Sequence, residues 1–151
     1  MIFSIDPGNV YSAYAILDDR LRPIKFGKVE NQKMITIINE ERRPGMKFAV
    51  EMVASYGMAV GKEVFETCVW IGRFVETINL RNGAEPTLIY RKEEKMNLCG
   101  NMRAKDSNIR QALIDRFGQI GTKKNPGWFY GVKADVWAAI AVGVTYHDLY
   151  K

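Results

Sequence analysis

Three carboxylates stand in apolar sequence, where solvated acids are not expected. Asp6 ends the run Ile2-Phe3-Ser4-Ile5, and Glu51 lies between Phe48-Ala49-Val50 and Met52-Val53. Asp135 opens a helical face lined by Val136, Ala139, Ile140 and Val142. A buried carboxylate without a partner costs several kcal/mol, and few lysines or arginines flank these three. If they converge at the ends of their elements, a divalent cation is the natural partner. All-oxygen donors favour Mg²⁺, with Mn²⁺ as the alternative. Each acid also has a plain structural reading. Asp6 can cap the turn Asp6-Pro7-Gly8-Asn9, Glu51 can face solvent at a strand end, and Asp135 can complement a helix dipole. Taken together, the pattern suggests metal-dependent phosphoryl transfer.

The elements that would position these acids can be read along the chain. MIFSID is a short buried strand; Val10–Leu17 and Leu21–Lys28 make a three-stranded meander with it, turning at Asp18-Asp19. Gln32–Glu41 reads as a helix ended by Arg43-Pro44-Gly45, and Lys47–Val53 as a central strand. Val60, Val64, Cys68, Ile71 and Val75 recur at helical spacing, marking a long amphipathic helix to about Leu80, closed by Asn82-Gly83. Thr87–Tyr90 is a strand, Asp106–Phe117 a helix ended by Gly118, and Val132–Tyr150 a final, mostly apolar helix. The expected fold class is α/β: a mixed sheet of about five strands with helices on both faces.

The composition agrees with an ordinary globule. The 151 residues, 47% apolar and 26% charged, fit one domain spanning residues 1–151. No run of about 18 apolar residues suggests a membrane span. MIFSIDPGN is a strand rather than a signal peptide, so a cytoplasmic protein is expected. Cys68 and Cys99 form no CxxC pair and read as small core residues. Nine bases against four acids between Arg91 and Lys124 carry the whole net charge of +5. Such a local excess suits a phosphate backbone, although a solvated basic face would look the same.

The ordered set of segments resembles the RuvC-type Holliday-junction resolvases of the RNase H-like superfamily, in their bacterial and phage variants. IDPGNVYSAYAIL is similar to that family's first strand and hairpin, and KFAVEMVASYGMAVGKEVFETCVWIGRF to its glutamate strand, following loop and long helix. YRKEEKMNLCGNMRAKDSNIRQALIDRFG resembles its lysine-bearing segment, and GVKADVWAAIAVGVTYHD its last helix. The resemblance implies an Mg²⁺-dependent endonuclease that resolves four-way DNA junctions by paired cuts, acting as a homodimer in the bacterial cytosol, host- or phage-encoded. It makes Asp6, Glu51 and Asp135 metal ligands. Lys95 and Lys105 match its functional lysines, with Lys95 taken as the catalytic one. Tyr56 occupies the position of a junction-inserting aromatic. The remaining DNA-contact candidates are Arg73, Arg91, Lys92, Arg103, Lys105, Arg110, Lys123 and Lys124. The family's further acid or histidine, three residues from the last-helix aspartate, has no counterpart: Val132 and Ala138 stand there. Asp106 reads better as a helix start, and Asp148 lies 13 residues further along, roughly 20 Å by helical rise.

Two other readings stay open at this level. One keeps the fold and changes the substrate to other branched DNA or RNA–DNA hybrids. The other is a junction-binding module that does not cut. An ATPase lobe of the sugar-kinase or actin type is discounted, because the chain lacks a second lobe.

Overall fold

The computed structural model describes residues 1–83 and 85–151, with the side chains of Arg81 and Asn82 left out of account. Five strands form one sheet: β1 (Ile2–Asp6), β2 (Tyr11–Leu17), β3 (Pro23–Glu30), β4 (Lys47–Met52) and β5 (Thr87–Tyr90). Their order is β3-β2-β1-β4-β5. The first three make an antiparallel meander, while β4 pairs parallel to β1 and β5 parallel to β4. Five helices complete the chain: α1 (Asn31–Glu41), α2 (Lys62–Asn82), α3 (Arg91–Cys99), α4 (Asp106–Phe117) and α5 (Val136–Tyr150). Among the described residues, no helix is long and apolar enough to cross a membrane.

Strand alternation divides the core in two. Phe3, Ile5, Tyr14, Ile16, Phe48 and Val50 point to the face covered by α1 and α2. Ile2, Ala13, Ala15, Leu17, Ala49 and Ile89 point to the other face, covered by α5 with α4 beside it. The residues facing α5 are mostly small, which lets that helix lie close to the sheet. Ser4 Oγ donates to the Ala139 carbonyl at 2.7 Å. A Cβ on Gly143 would come within 2.7 Å of Leu17 Cδ1 and 2.8 Å of Ser4 Oγ, so a larger residue at that crossing would displace both side chains. Burial on both sides explains why α5 reads as apolar all round.

Several sequence expectations are corrected. The last helix begins at Val136 instead of Val132, because Ala134 takes a left-handed φ of 50° and breaks the turn before it. The buried stripe of α2 is Thr67, Ile71, Phe74 and Ile78, with Val64, Cys68 and Val75 half-buried beside it. Cys68 and Cys99 are free thiols and half-buried instead of filling the core, Cys99 packing against the α5-side cluster. Helix α3 is an element that periodicity misses, since RKEEKMNLC carries no apolar stripe. Its start is set locally: the Tyr90 backbone N–H donates to Glu93 Oε2 at 2.8 Å.

Candidate metal and nucleic-acid site

Strand parity and register bring the first two acids together. Asp6 shares the α5-facing parity of Ile2 and Ser4, and Glu51 that of Ala49. Ile5 pairs with Val50 across the parallel β1–β4 ladder, so Asp6 and Glu51 are neighbours one step later, at the carboxyl ends of both strands. Adjacent strands stand only about 4.8 Å apart. Behind Asp6 the chain is pinned by a buried relay. Gly8 N–H donates to Ser12 Oγ, Ser12 donates to Asn31 Oδ1 at 2.6 Å, and Asn31 Nδ2 returns to the Gly8 carbonyl at 2.9 Å. A Cβ on Gly8 would overlap the Tyr11 carbonyl oxygen at 2.2 Å. The turn thus has one acceptable residue there, and it aims Asp6.

The electrostatics are those of crowded negative charge. Burial, then the neighbouring Glu51 carboxyl and more distant Asp135, push the Asp6 carboxyl up to about 8 against the opposing pull of Arg91. Arg91, the first residue of α3, reaches Glu51 Oε1 at 3.5 Å and Glu94 Oε1 at 3.4 Å, and also binds Asp106. Arg91 therefore stands inside the acid cluster. Asp135 lies at the same end of the sheet, at the start of α5, and its carboxylate is held by Lys28 Nζ at 2.6 Å. Lys28 is placed by register alone: it pairs with Ala13, which pairs with Asp6, so a row across the sheet reads Lys28, Ala13, Asp6.

Two participants escaped the sequence reading. Lys28 was legible in principle from the strand register. Glu94 was not: it sits in the charged run RKEEK, yet it is fully buried beside Glu51. Burial, then Glu51, raises its carboxyl well above the usual range. Asp148, the distant alternative acid, lies elsewhere and binds Arg116 and Asn97.

The DNA-contact candidates divide by position. Tyr56, Arg91, Lys92 and Lys95 line one open depression of about 280 Å³ together with Met102. Tyr56 is 57% exposed and held at a left-handed φ of 50° in the loop after β4, which presents its ring outward. Arg103 and Lys105 are exposed on the α3–α4 connection, Lys105 immediately before α4. Arg110, on α4, lies over the Trp137 ring at 5.0 Å. Lys123 and Lys124 are exposed on a loop closed by the Gly121–Pro126 bridge. Arg73 stands apart on α2, stacked on Trp70 at 4.1 Å and bonded to Gln32.

The residues present fit a divalent cation by the chemistry of their donors. Asp6, Glu51 and Asp135 offer oxygen donors at one sheet end, and the upward push on the Asp6 carboxyl from burial and Glu51 marks crowding of negative charge that Arg91 does not balance. Among the described residues, no three such side chains are gathered tightly enough to hold an ion as they are arranged. Asp135 would have to exchange Lys28 for the metal.

The sequence matches no family model and no curated protein. Solved structures do match over nearly the full length. Thermus thermophilus RuvC superposes with a TM-score of 0.67 at 14% identity, covering 97% of this chain and 92% of that one. The fold is that of RuvC. RuvC from the same organism in complex with a Holliday-junction substrate gives 0.66 at 15% identity, with the same 97% and 92% coverage. The Fowlpox virus resolvase in complex with Holliday-junction DNA gives 0.58 at 12% identity, covering 98% of this chain and 99% of that one. The expected mixed five-stranded sheet with helices on both faces is thereby met, in the RuvC form of the RNase H-like fold.

Proposed function

We propose that this chain is a divalent-metal-dependent endonuclease that resolves four-way DNA junctions by paired phosphodiester hydrolysis. The observation that carries this reading is the Asp6–Glu51 pair, set side by side at the ends of two parallel strands and facing Asp135, in a chain with the RuvC fold. Residues 1–151 act as one nuclease domain, as a homodimer in the bacterial cytoplasm, host- or phage-encoded.

Asp6, Glu51 and Asp135 would hold Mg²⁺ or Mn²⁺. Bound there, the metal supplies charge neutralisation at the scissile phosphate and a water of lowered pKa. The protein's own groups do the rest. Lys95 places an ammonium beside the phosphate. Tyr56 offers a planar face on which a base opened at the crossover stacks, a contact worth about 1–3 kcal/mol. Lys92, Arg103, Lys105, Arg110, Lys123 and Lys124 neutralise backbone phosphates, so binding weakens steeply with salt. Arg73 would contact DNA only where an arm crosses α2. Arg91 holds Glu51 in place and balances part of the acid cluster, and Asp135 would have to give up Lys28 to hold a metal.

The test is cleavage of a labelled synthetic four-way junction in Mg²⁺, beside matched duplex, fork and RNA–DNA hybrid. Symmetric paired nicks on the junction, lost in Asp6→Asn, are expected. Preferred cutting of hybrid or fork moves the substrate within the same fold. Tight junction binding with no cut in Mg²⁺ or Mn²⁺ overturns the nuclease reading in favour of a junction-binding protein.

A further inference from the structure

Helix α3 buries a single residue completely, and that residue is a carboxylate. Glu94 is 0% exposed. Its Oε1 lies 3.4 Å from Arg91 Nη1. Its Oε2 is buried with no hydrogen-bond donor among the described residues. Its carboxyl lies within hydrogen-bonding reach of that of Glu51, and Asp6 is close enough to act on it. Two facing carboxylates cannot donate to each other unless a proton or a cation stands between them. A buried acceptor without a donor costs about 1–3 kcal/mol, more when charged, and native structures keep few of them. A leucine or methionine would fill the same space beneath α3 without that cost. The geometry also allows no purely structural ion pair to account for both oxygens, because Arg91 engages only one of them and shares itself with Glu51 and Asp106.

We propose that Glu94 is a further ligand of the divalent-cation site, its free oxygen closing on the ion alongside Glu51 and Asp6, which as arranged without metal are not yet gathered tightly enough to hold one. The inference rests on the metal-dependent reading above and adds to it a residue from α3. Glu94 then does for the cation what an acid on α5 cannot, since the helix positions next to Asp135 are apolar. Arg91 turns from counter-ion into a clamp that keeps Glu51 and Glu94 apart at ligand spacing. With one divalent ion bound, the four carboxylates Asp6, Glu51, Glu94 and Asp135 face the ion and Arg91, so most of the negative charge that would repel a phosphate is removed.

The experiment is Mn²⁺ binding to the full-length protein without DNA, followed by titration calorimetry and by the rise in melting temperature that the metal produces. Wild type, Asp6→Asn, Glu94→Gln and Glu94→Asp are compared. Glu94→Gln is expected to weaken Mn²⁺ binding about tenfold or more and to shrink the metal-induced rise. Glu94→Asp, which withdraws the carboxylate by one methylene, falls between it and wild type. Affinity within twofold of wild type in both variants overturns the proposal, even if Glu94→Gln melts lower in chelator, because that result describes a structural acid. Wild type that binds no Mn²⁺ overturns the metal-dependent reading itself. Wild type that binds, with loss in Asp6→Asn and none in either Glu94 variant, overturns the assignment of Glu94 alone.

Discussion

At the scale of single residues, Asp6 carries the clearest physical signature. Its carboxyl titrates near 3.8 in the unfolded chain and is pushed up to about 8 in the fold by burial and by Glu51. Below 3.8 both states hold the proton, so folding is unopposed there. Between 3.8 and about 8 the folded protein keeps a proton that the unfolded chain has lost, and stability falls as pH rises through that window. Metal-free protein is therefore expected to lose stability from pH 5 to pH 9, by on the order of 1 kcal/mol or more. Asp6→Asn removes the titrating group. In chelator, the variant should melt above wild type at pH 9, with the difference closing towards pH 4. Melting curves that stay parallel across this range would show that Asp6 is not crowded by its neighbours. The same substitution that stabilises the metal-free protein should abolish cleavage, as expected where a site holds charge ready for a cation.

At the scale of elements, α3 packs little more than Leu98 and Cys99 against the core, so a polar contact has to help hold it in place. Asp148 on α5 does this. It accepts two bonds from Arg116 of α4, at 2.6 and 2.9 Å, and one from Asn97 of α3 at 2.8 Å. Burial works to raise the Asp148 carboxyl, but the bonds from Arg116, Asn97 and His147 outweigh it and lower it to about 2. A depressed carboxylate adds stability above its unfolded value of 3.8 and loses it as pH falls through about 2. Because the Arg116 guanidinium is partly exposed, the contribution is discounted to about 1 kcal/mol. Asp148→Asn should thus lower the melting temperature by about 2–4 °C near neutral pH. The deficit should vanish between pH 4 and pH 2. A deficit that is unchanged at pH 2 would mean that the loss comes from packing and not from the ion pair. The three-helix tie lies away from the acids yet fixes the helix that carries Arg91 and Glu94.

At the scale of the whole molecule, charge and apolar surface are distributed on different elements. The entire net charge of +5 falls between Arg91 and Lys124, on α3, α4 and their connections. The outer face of α2 instead exposes Phe65 at 62% and Val69 at 64%, with Trp70 half-buried beside them. A four-way junction is close to two-fold symmetric, and a C₂ dimer joined through α2 would present two cutting sites to it. Phe65→Glu combined with Val69→Glu is expected to give a monomer by light scattering at micromolar concentration. Its nicks on a junction should become uncoupled, leaving singly cut product. A double variant that remains dimeric, or a monomer that still makes paired cuts, would locate the symmetry elsewhere.

Much of this was legible in the residue order, for reasons that are local. Asp6, Glu51 and Asp135 stand out because a carboxylate inside an apolar run needs a cause. The strand alternation that makes β1 and β4 recognisable also assigns both acids to one face. The turn at Asp6-Pro7-Gly8-Asn9 and the glycine-capped helices were equally readable from backbone chemistry. What the sequence could not show is anything that depends on contact between distant segments. Periodicity shows no helix at α3, because its one buried residue is Glu94 and its outer residues are charged. Lys28 meets Asp135 across 107 residues only because register aligns it with Ala13 and Asp6. Arg91 reads as one more base in a basic stretch until the fold sets it among Glu51, Glu94 and Asp106. Burial and pairing are properties of the packed chain. The chemistry of the site was determined by residue type, while its membership was decided by tertiary structure, because only packing determines which charges lose their water.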